Sequence, residues 1–377
     1  MKKKRILFLM DTMDGGGAEK VLLQILQNID YAKFDVDLCL IYHKGVYLDD
    51  IPSQVSTSFL SKIKPGIFFR LIRFAQFLHI EKLLEIYINS RLRSDYDVEI
   101  AFLEGQSTKF IAMRRSKALK FSWVHSDLHA CHWTKDEYRN LESEREAFRA
   151  MDHIVFVCRQ NQLAFNQLFR GMDTSTQRVL YNPINRNAIV NLSKAFPVEK
   201  KVFTICSLGR FIQEKGFDRL IRVCGRLRDD GFSFQLWLIG KALDEKDWKE
   251  LVASLHLESV VDLIGFVNNP YPYLNAADLY VSSSRAEGFS LVIAEALCLG
   301  KPVVSTTTAG AKDLLNDGEY GLLTENSEQG LYEGIKAMMT SEETMNIYRE
   351  KAQMGAKQFD FERTMNAIIQ TITSPNL

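Results

Sequence analysis

Short apolar runs alternate with stretches at helical spacing along almost the whole chain, a pattern that predicts parallel βαβ units. In the first half the strand-like runs are Arg5–Met10, Val36–Tyr42, Val98–Leu103, Phe121–His125, His153–Cys158 and Arg178–Tyr181. Asn182-Pro183 and the polar stretch from Asn185 to Lys201 break the pattern. A fresh series begins at Val202 (VFTICSLG) and continues through Phe234–Gly240, Val260–Phe266, Leu279–Ser284 and Pro302–Thr308. The expectation is an α/β protein of two doubly wound, Rossmann-like domains, residues 1–185 and 201–357, joined by a linker at 186–200. Phe361, Met365, Ile368, Ile369 and Ile372 give the end of the chain, 358–377, the spacing of one more helix.

Composition narrows the class. The 377 residues are enough for two ordinary cores, and 47 basic against 47 acidic residues leave no global field to draw nucleic acid. Cys39, Cys131, Cys158, Cys206, Cys224 and Cys298 are scattered without a CxxC, which reads as reduced thiols. The opening MKKKRILFLMDTMD has only Ile6 to Met10 before Asp11, too short for a leader's apolar core and suited to a first strand. No apolar run approaches membrane-spanning length, so an intracellular, non-integral protein is expected.

Candidate chemistry concentrates in Ser284 to Val304, SRAEGFSLVIAEALCLGKPVV, where Glu287 and Glu295 are separated by seven residues. Glu287-Gly288-Phe289-Ser290 is the exit turn of a strand, and Leu291 to Leu299 reads as a helix closed by Gly300. Such a turn offers unpaired N–H groups and a positive dipole end, while Glu295, flanked by aliphatic residues, needs a hydroxyl or N–H partner. Arg210 and Lys215 follow the strand ending at Gly209 as a cation pair suited to charge building on a departing phosphate. Asp14-Gly15-Gly16-Gly17-Ala18 follows the first strand but fits neither G-x-G-x-x-G nor the P-loop pattern, leaving a bare-backbone helix start that a ligand could approach, or a plain tight turn. His125 ends an apolar run at a strand's C-terminal edge, where a neutral imidazole can bond a hydroxyl. A metal at His125, His129 and His132 is disfavoured by loop spacing and by the lack of a carboxylate beyond Asp127. Asp35-Val36-Asp37 and Asp95-Tyr96-Asp97 sit at strand starts and read as turn or edge residues.

The Glu-x7-Glu pattern with Gly-Phe after the first Glu resembles the retaining glycosyltransferases of family four, which have the two-domain GT-B fold. Leu208-Gly209-Arg210, Glu214-Lys215-Gly216 and the Gly15–Gly17 loop agree with it, closely over Lys200 to Glu325 and at scattered points before, including Val124-His125-Ser126 and Tyr181-Asn182-Pro183-Ile184. The resemblance implies two domains facing a central cleft, with the last helix returning to the N-terminal domain. It implies that Glu295 binds the ribose, Arg210 and Lys215 the diphosphate, and Glu287 with the amides of Gly288, Phe289 and Ser290 the sugar and phosphate. Gly15, Gly16 and Gly17 would face the phosphate, His125 the transferred sugar, and backbone near Phe266 and Val267 the base. The implied activity is retaining, metal-independent transfer of a hexose or N-acetylhexosamine from a nucleotide-diphosphate sugar, UDP above others, to a glycan or polyprenyl-linked acceptor in surface-polysaccharide assembly. No cofactor is expected beyond that co-substrate. The alternatives are a nucleotide-sugar epimerase and a non-catalytic partner subunit on the same fold; the complete set of Arg210, Lys215, Glu287 and Glu295 disfavours the second.

Ile67 to Arg93 (IFFRLIRFAQFLHIEKLLEIYINSRLR) bears on the acceptor. On a helical wheel Arg70, Arg73, Phe74, Phe77 and Glu81 share one side, while Leu71, Ile72, Leu78 and Ile86 cover much of the rest and are expected in the core. A basic-aromatic face suits anionic lipid headgroups, so a peripheral place on the inner face of the plasma membrane is a second expectation.

Overall fold

A computed structural model of the chain describes residues 3–63, 65–78, 80–242 and 244–373. His79, within Ile67–Arg93, Lys64 just before it, and residues 374–377 of the expected last region lie outside the described residues. The chain divides into two compact units, Met1–Pro183 with Glu362–Leu377, and Ile184–Phe361.

In the first unit the strands are β1 (Lys4–Met10), β2 (Phe34–Tyr42), β3 (Ser56–Ser61), β4 (Val98–Ala101), β5 (Leu119–Val124), β6 (His153–Phe156) and β7 (Gln177–Val179). Among the described residues they form one parallel sheet in the order β3-β2-β1-β4-β5-β6-β7. The second unit has β8 (Phe203–Leu208), β9 (Phe234–Ile239), β10 (Val261–Gly265), β11 (Leu279–Ser282), β12 (Val303–Thr306) and β13 (Leu322–Thr324), again all parallel, in the order β10-β9-β8-β11-β12-β13. Both are Rossmann-like. In each, the order reverses beside the first strand, and the loops leaving β1 and β4, or β8 and β11, flank the crevice where open α/β sheets bind ligands. The central strands are buried along most of their length, which is why they read as unbroken apolar runs. Strands β3 and β13 escaped the sequence reading because they lie at sheet edges and carry few buried positions.

Several expectations change. The segment 186–200 is not a plain linker: it contains the helix Arg186–Leu192, capped by the Asn185 side chain on the Ala188 N–H at 2.9 Å, and it groups with the second unit. Ile67–Arg93 is not one helix but two, Pro65–Phe77 and Glu81–Arg91. Their core face is narrow, with Phe68, Ile72, Gln76 and Ile88 buried, and Leu71, Leu78 and Ile86 are exposed rather than in the core. The helix Phe361–Thr373 buries Met365, Ile368 and Ile372 and receives the Lys4 ammonium on the Thr373 carbonyl at 2.5 Å. The six cysteines are free thiols.

Candidate active site

In the second unit the loops leaving β8 and β11 lie side by side because their strands pair. A one-turn helix, Gln213–Lys215, ends on Gly216, which opens the helix Phe217–Asp229. Gly216 has φ +66°, and a side chain there would also collide with the Ser283 carbonyl, so glycine is required on two counts. Arg219, buried in the first turn of that helix, donates from Nε to the Ser283 carbonyl and from Nη2 to the Ser284 carbonyl, both at 2.8 Å. Ser283 Oγ donates back to the Lys215 carbonyl at 2.8 Å, and the Arg285 N–H to the Glu214 carbonyl at 2.7 Å. Hydrogen bonds to a charged group contribute about 1.5–3 kcal/mol each, so Arg219 is a major tie among those that hold the two loops together. Burial lowers its pKa to about 10, which leaves it cationic at neutral pH. Arg285 donates to Asp218 at 2.7 and 2.8 Å; burial works against the Asp218 charge, but Arg285 and Arg222 outweigh it and hold the carboxyl well below the usual range.

On this base Lys215 Nζ pairs with Glu287 Oε1, which also accepts from Ser284 Oγ at 3.4 Å. The turn Glu287–Phe289 packs on the start of the helix Ala309–Leu314, where Gly310 donates its N–H to the Glu287 carbonyl at 3.0 Å. Ser290 caps the helix Leu291–Cys298 through the Ile293 N–H at 3.4 Å. Glu295, one turn on and 4% exposed, accepts from Tyr271 Oη at 2.9 Å, the hydroxyl partner its apolar flanks demand. Arg210 is exposed and has no side-chain partner among the described residues; Phe266 is half exposed beyond β10. The structure thus joins Lys215, Glu287 and Ser284 in one contact and sets Glu295 apart on Tyr271. Arg219, Asp218, Arg285 and Tyr271 were missed. An Arg flanked by the core residues Phe217 and Leu220 was the readable signal for the first; Tyr271 gave none.

In the first unit Gly16 caps the helix Gly17–Asn28 without a side-chain bond, and Gly15 has φ +89°. The Glu19 carboxylate folds back against Gly16, beside the helix start. His125 follows β5 directly; burial depresses its imidazole to about 3, opposed only by the Phe102 carbonyl, so the ring is neutral at pH 7. His132 Nε2 bonds Glu144 Oε2 at 2.7 Å, and Asp127 accepts from the His129 and Ala130 N–H groups at 3.1 and 2.9 Å. Among the described residues no group of three or more His, Cys, Asp and Glu is arranged to hold a metal. The Asp-x-Asp pairs lie at the strands' opposite ends: Asp97 accepts the Arg5 N–H at 2.8 Å and Asp37 the Tyr96 hydroxyl at 2.6 Å. Two further carboxyls gather after β1 and β5: Asp11, bonded by Ser107 Oγ at 2.7 Å, and Glu137, each pushed up to about 7 chiefly by burial.

Residues 190–354 match the family model described as glycosyl transferases group 1. The chain is 29% identical over 356 residues, 93% of its length and 94% of the relative's, to the N-acetylgalactosamine-N,N'-diacetylbacillosaminyl-diphospho-undecaprenol 4-alpha-N-acetylgalactosaminyltransferase of Campylobacter jejuni. HepE of Anabaena, solved in complex with UDP and glucose, matches with a TM-score of 0.76 at 24% identity, over 98% of this chain and 99% of that one. WaaG, a glycosyltransferase involved in lipopolysaccharide biosynthesis, matches with a TM-score of 0.72 at 15% identity, over 98% of this chain and 100% of that one. These two structures share the fold, the GT-B type.

Proposed function

We propose that the chain, whose residues 190–354 match the glycosyl transferases group 1 model, is a glycosyltransferase of that family and moves a hexose or N-acetylhexosamine from a UDP-sugar to a glycan or polyprenyl-linked acceptor in surface-polysaccharide assembly. Anomeric configuration is retained and no metal takes part. The observation that carries this reading is the Lys215–Glu287 pair, locked between two strand-end loops at the sheet's switch point. Lys215 and Arg210 supply the positive charge that the departing diphosphate requires, more in the transition state than in the ground state. Glu287, with the amides of Gly288 to Ser290, orients the sugar, and Glu295 on its Tyr271 support meets the ribose. The bond from the anomeric carbon to the phosphate oxygen breaks, and the acceptor hydroxyl bonds to the same face as its proton passes to the departing phosphate. Gly15 to Gly17 take the phosphate once the Glu19 carboxylate has moved aside, and neutral His125 accepts a hydroxyl of the transferred sugar. The lipid-diphosphate acceptor in the name of the Campylobacter relative supports the polyprenyl-linked class.

The surface of the helices Pro65–Phe77 and Glu81–Arg91 fits such an acceptor. Phe77 is 78% and Leu83 61% exposed, with Ile67, Leu71, Phe74 and Ile86 also in solvent and Arg70, Arg73 and Lys82 exposed among them. Apolar and basic groups together suit an anionic bilayer surface, so the protein works as a peripheral enzyme at the cytoplasmic face. No described helix is long and apolar enough to cross a membrane.

The test incubates the protein with a UDP-sugar, a polyprenyl-diphosphate-linked acceptor and EDTA, and assigns the product anomer by NMR. A retained anomer formed at the rate seen without EDTA supports the reading. Activity lost to EDTA and restored by Mg or Mn contradicts metal independence, and a new isomeric nucleotide sugar formed from donor alone identifies an epimerase.

A further inference from the structure

Glu104 has no place in the roles above, yet it is 0% exposed, three residues past β4 at the switch point of the first sheet. The other carboxyls of this unit that are 0% exposed, Glu99 and Glu144, each have a basic partner. Glu99 receives Arg114 Nε and Nη2 at 3.0 and 2.9 Å, and Glu144 receives His132 at 2.7 Å and Thr134 Oγ1 at 2.5 Å. Among the described residues Glu104 has only neutral donors. Its Oε2 accepts the backbone N–H of His125 at 2.8 Å and its Oε1 the Trp133 Nε1–H at 3.3 Å, while that same N–H lies 3.2 Å from Ser126 Oγ. Trp133 is held in turn: Gly105 has φ +88°, and a side chain there would meet the indole ring at 2.9 Å. Burial raises the Glu104 pKa, against the His125 N–H, the Ser126 hydroxyl and Trp133. A buried carboxyl without a cation weakens a fold unless its geometry serves something else.

What it fixes is the turn that presents His125. The imidazole leans on Phe102 with ring centroids 5.1 Å apart, and its Nε2 is buried with no hydrogen-bond partner among the described residues. With the Phe102 carbonyl against the ring, the proton sits on Nδ1 and Nε2 is left as a bare acceptor. We infer that Glu104 is a positioning residue: by holding the His125 N–H and tying Trp133 to the same turn, it fixes the imidazole so that Nε2 accepts a sugar hydroxyl of the reacting complex. This rests on the glycosyl-transfer reading.

The variant is Glu104→Gln, isosteric but with an amide donor facing donors. Two readouts are taken on the full chain: kcat for transfer, and the ring ¹H–¹⁵N correlations of His125 at pH 7, assigned by their loss in His125→Gln. The wild type should show one tautomer, protonated on Nδ1. Glu104→Gln should lose kcat tenfold or more and show mixed tautomers, while UDP still protects it against thermal unfolding as it does the wild type. Trp133→Phe, which removes one donor to the carboxyl, should move both readouts less. A variant with kcat within twofold and an unchanged ring pattern overturns the inference, as does loss of UDP protection together with activity, which would mark a general structural role. If Glu104→Gln does not fold, the same readings on Trp133→Phe decide. If the wild type transfers no sugar, the glycosyl-transfer reading fails by itself and the ring pattern still decides whether Glu104 positions His125.

Discussion

The two units repeat one strand order and do opposite things with charge at the strand ends. In the second, Arg219 and the Arg285–Asp218 pair tie the strand-end loops together, and the Lys215–Glu287 ion pair rests on that frame. In the first, carboxyls turn inward: Asp11, Glu104 and Glu137 are pushed toward their neutral forms, and hydroxyls, amides and an indole N–H serve as partners. The family match falls on the second unit, the one proposed to hold the donor's diphosphate.

The largest way to break the comparison is Lys215→Ala. A transition-state cation in a dry site contributes about 3 kcal/mol or more, so kcat/KM should fall by about 100-fold or more with the melting temperature little changed. Near-normal turnover would remove the anion site from the second unit.

Stability against pH separates the units next. Asp11 and Glu137 have folded pKa values of about 7, above their unfolded values of 3.8 and 4.5, so the native state binds more protons between about pH 4 and 7. Stability contributed by the first unit should therefore fall as pH rises through that window and level off above it. Asp218, with its carboxyl depressed, works the other way: its contribution is complete above pH 3.8 and is lost as pH falls below. Asp11→Asn should flatten the upper slope by about 1–3 kcal/mol, a figure discounted for partial exposure and for the altered Ser107 bond. Urea melts from pH 4 to 8 measure it, and an unchanged slope would mean that Asp11 is ionised throughout.

Exposed charge on the first unit is tested by vesicles. Arg70 and Arg73 near an anionic surface contribute roughly 1 kcal/mol each, so Arg70→Glu with Arg73→Glu should weaken low-salt binding to anionic vesicles by about 30-fold or more. Neutral vesicles should bind neither protein, and salt should weaken the wild type by screening. Wild type that ignores anionic vesicles at low salt would leave the exposed face to another partner. The smallest effect is expected at Glu295→Gln, which keeps an acceptor for Tyr271 and sits away from the broken bond: KM for the donor should rise by about tenfold, about 1.4 kcal/mol, with kcat within twofold. A fall in kcat alone would move Glu295 out of the ribose role.

The sheets and the second unit's loops were legible because parallel strands buried on both faces write unbroken apolar runs, and because Glu287, Lys215 and Ser290 each follow such a run. Edge strands Ser56–Ser61 and Leu322–Thr324 wrote none. The helices at 65–91 misled because an apolar side is the usual mark of a core helix, and here much of it faces solvent. Arg219 and Glu104 escaped for a different reason: each acts on residues 21 or more positions away, through contacts that only strand pairing creates. Glu104 nonetheless left a trace, a carboxyl at the C-terminal edge of an apolar run, the same kind of position that singled out His125.

The measurement closest to the central claim is thermal unfolding of the full chain with UDP, GDP, ADP and dTDP in the presence of EDTA, for the wild type and Lys215→Ala. A ligand that binds the native state at 100 times its Kd adds about 2.7 kcal/mol of stability. UDP should raise the wild-type melting temperature most, without metal, and Lys215→Ala should lose that shift. If no nucleoside diphosphate protects the wild type, or if protection survives intact in Lys215→Ala, the strand-end loops of the second unit are not the diphosphate site.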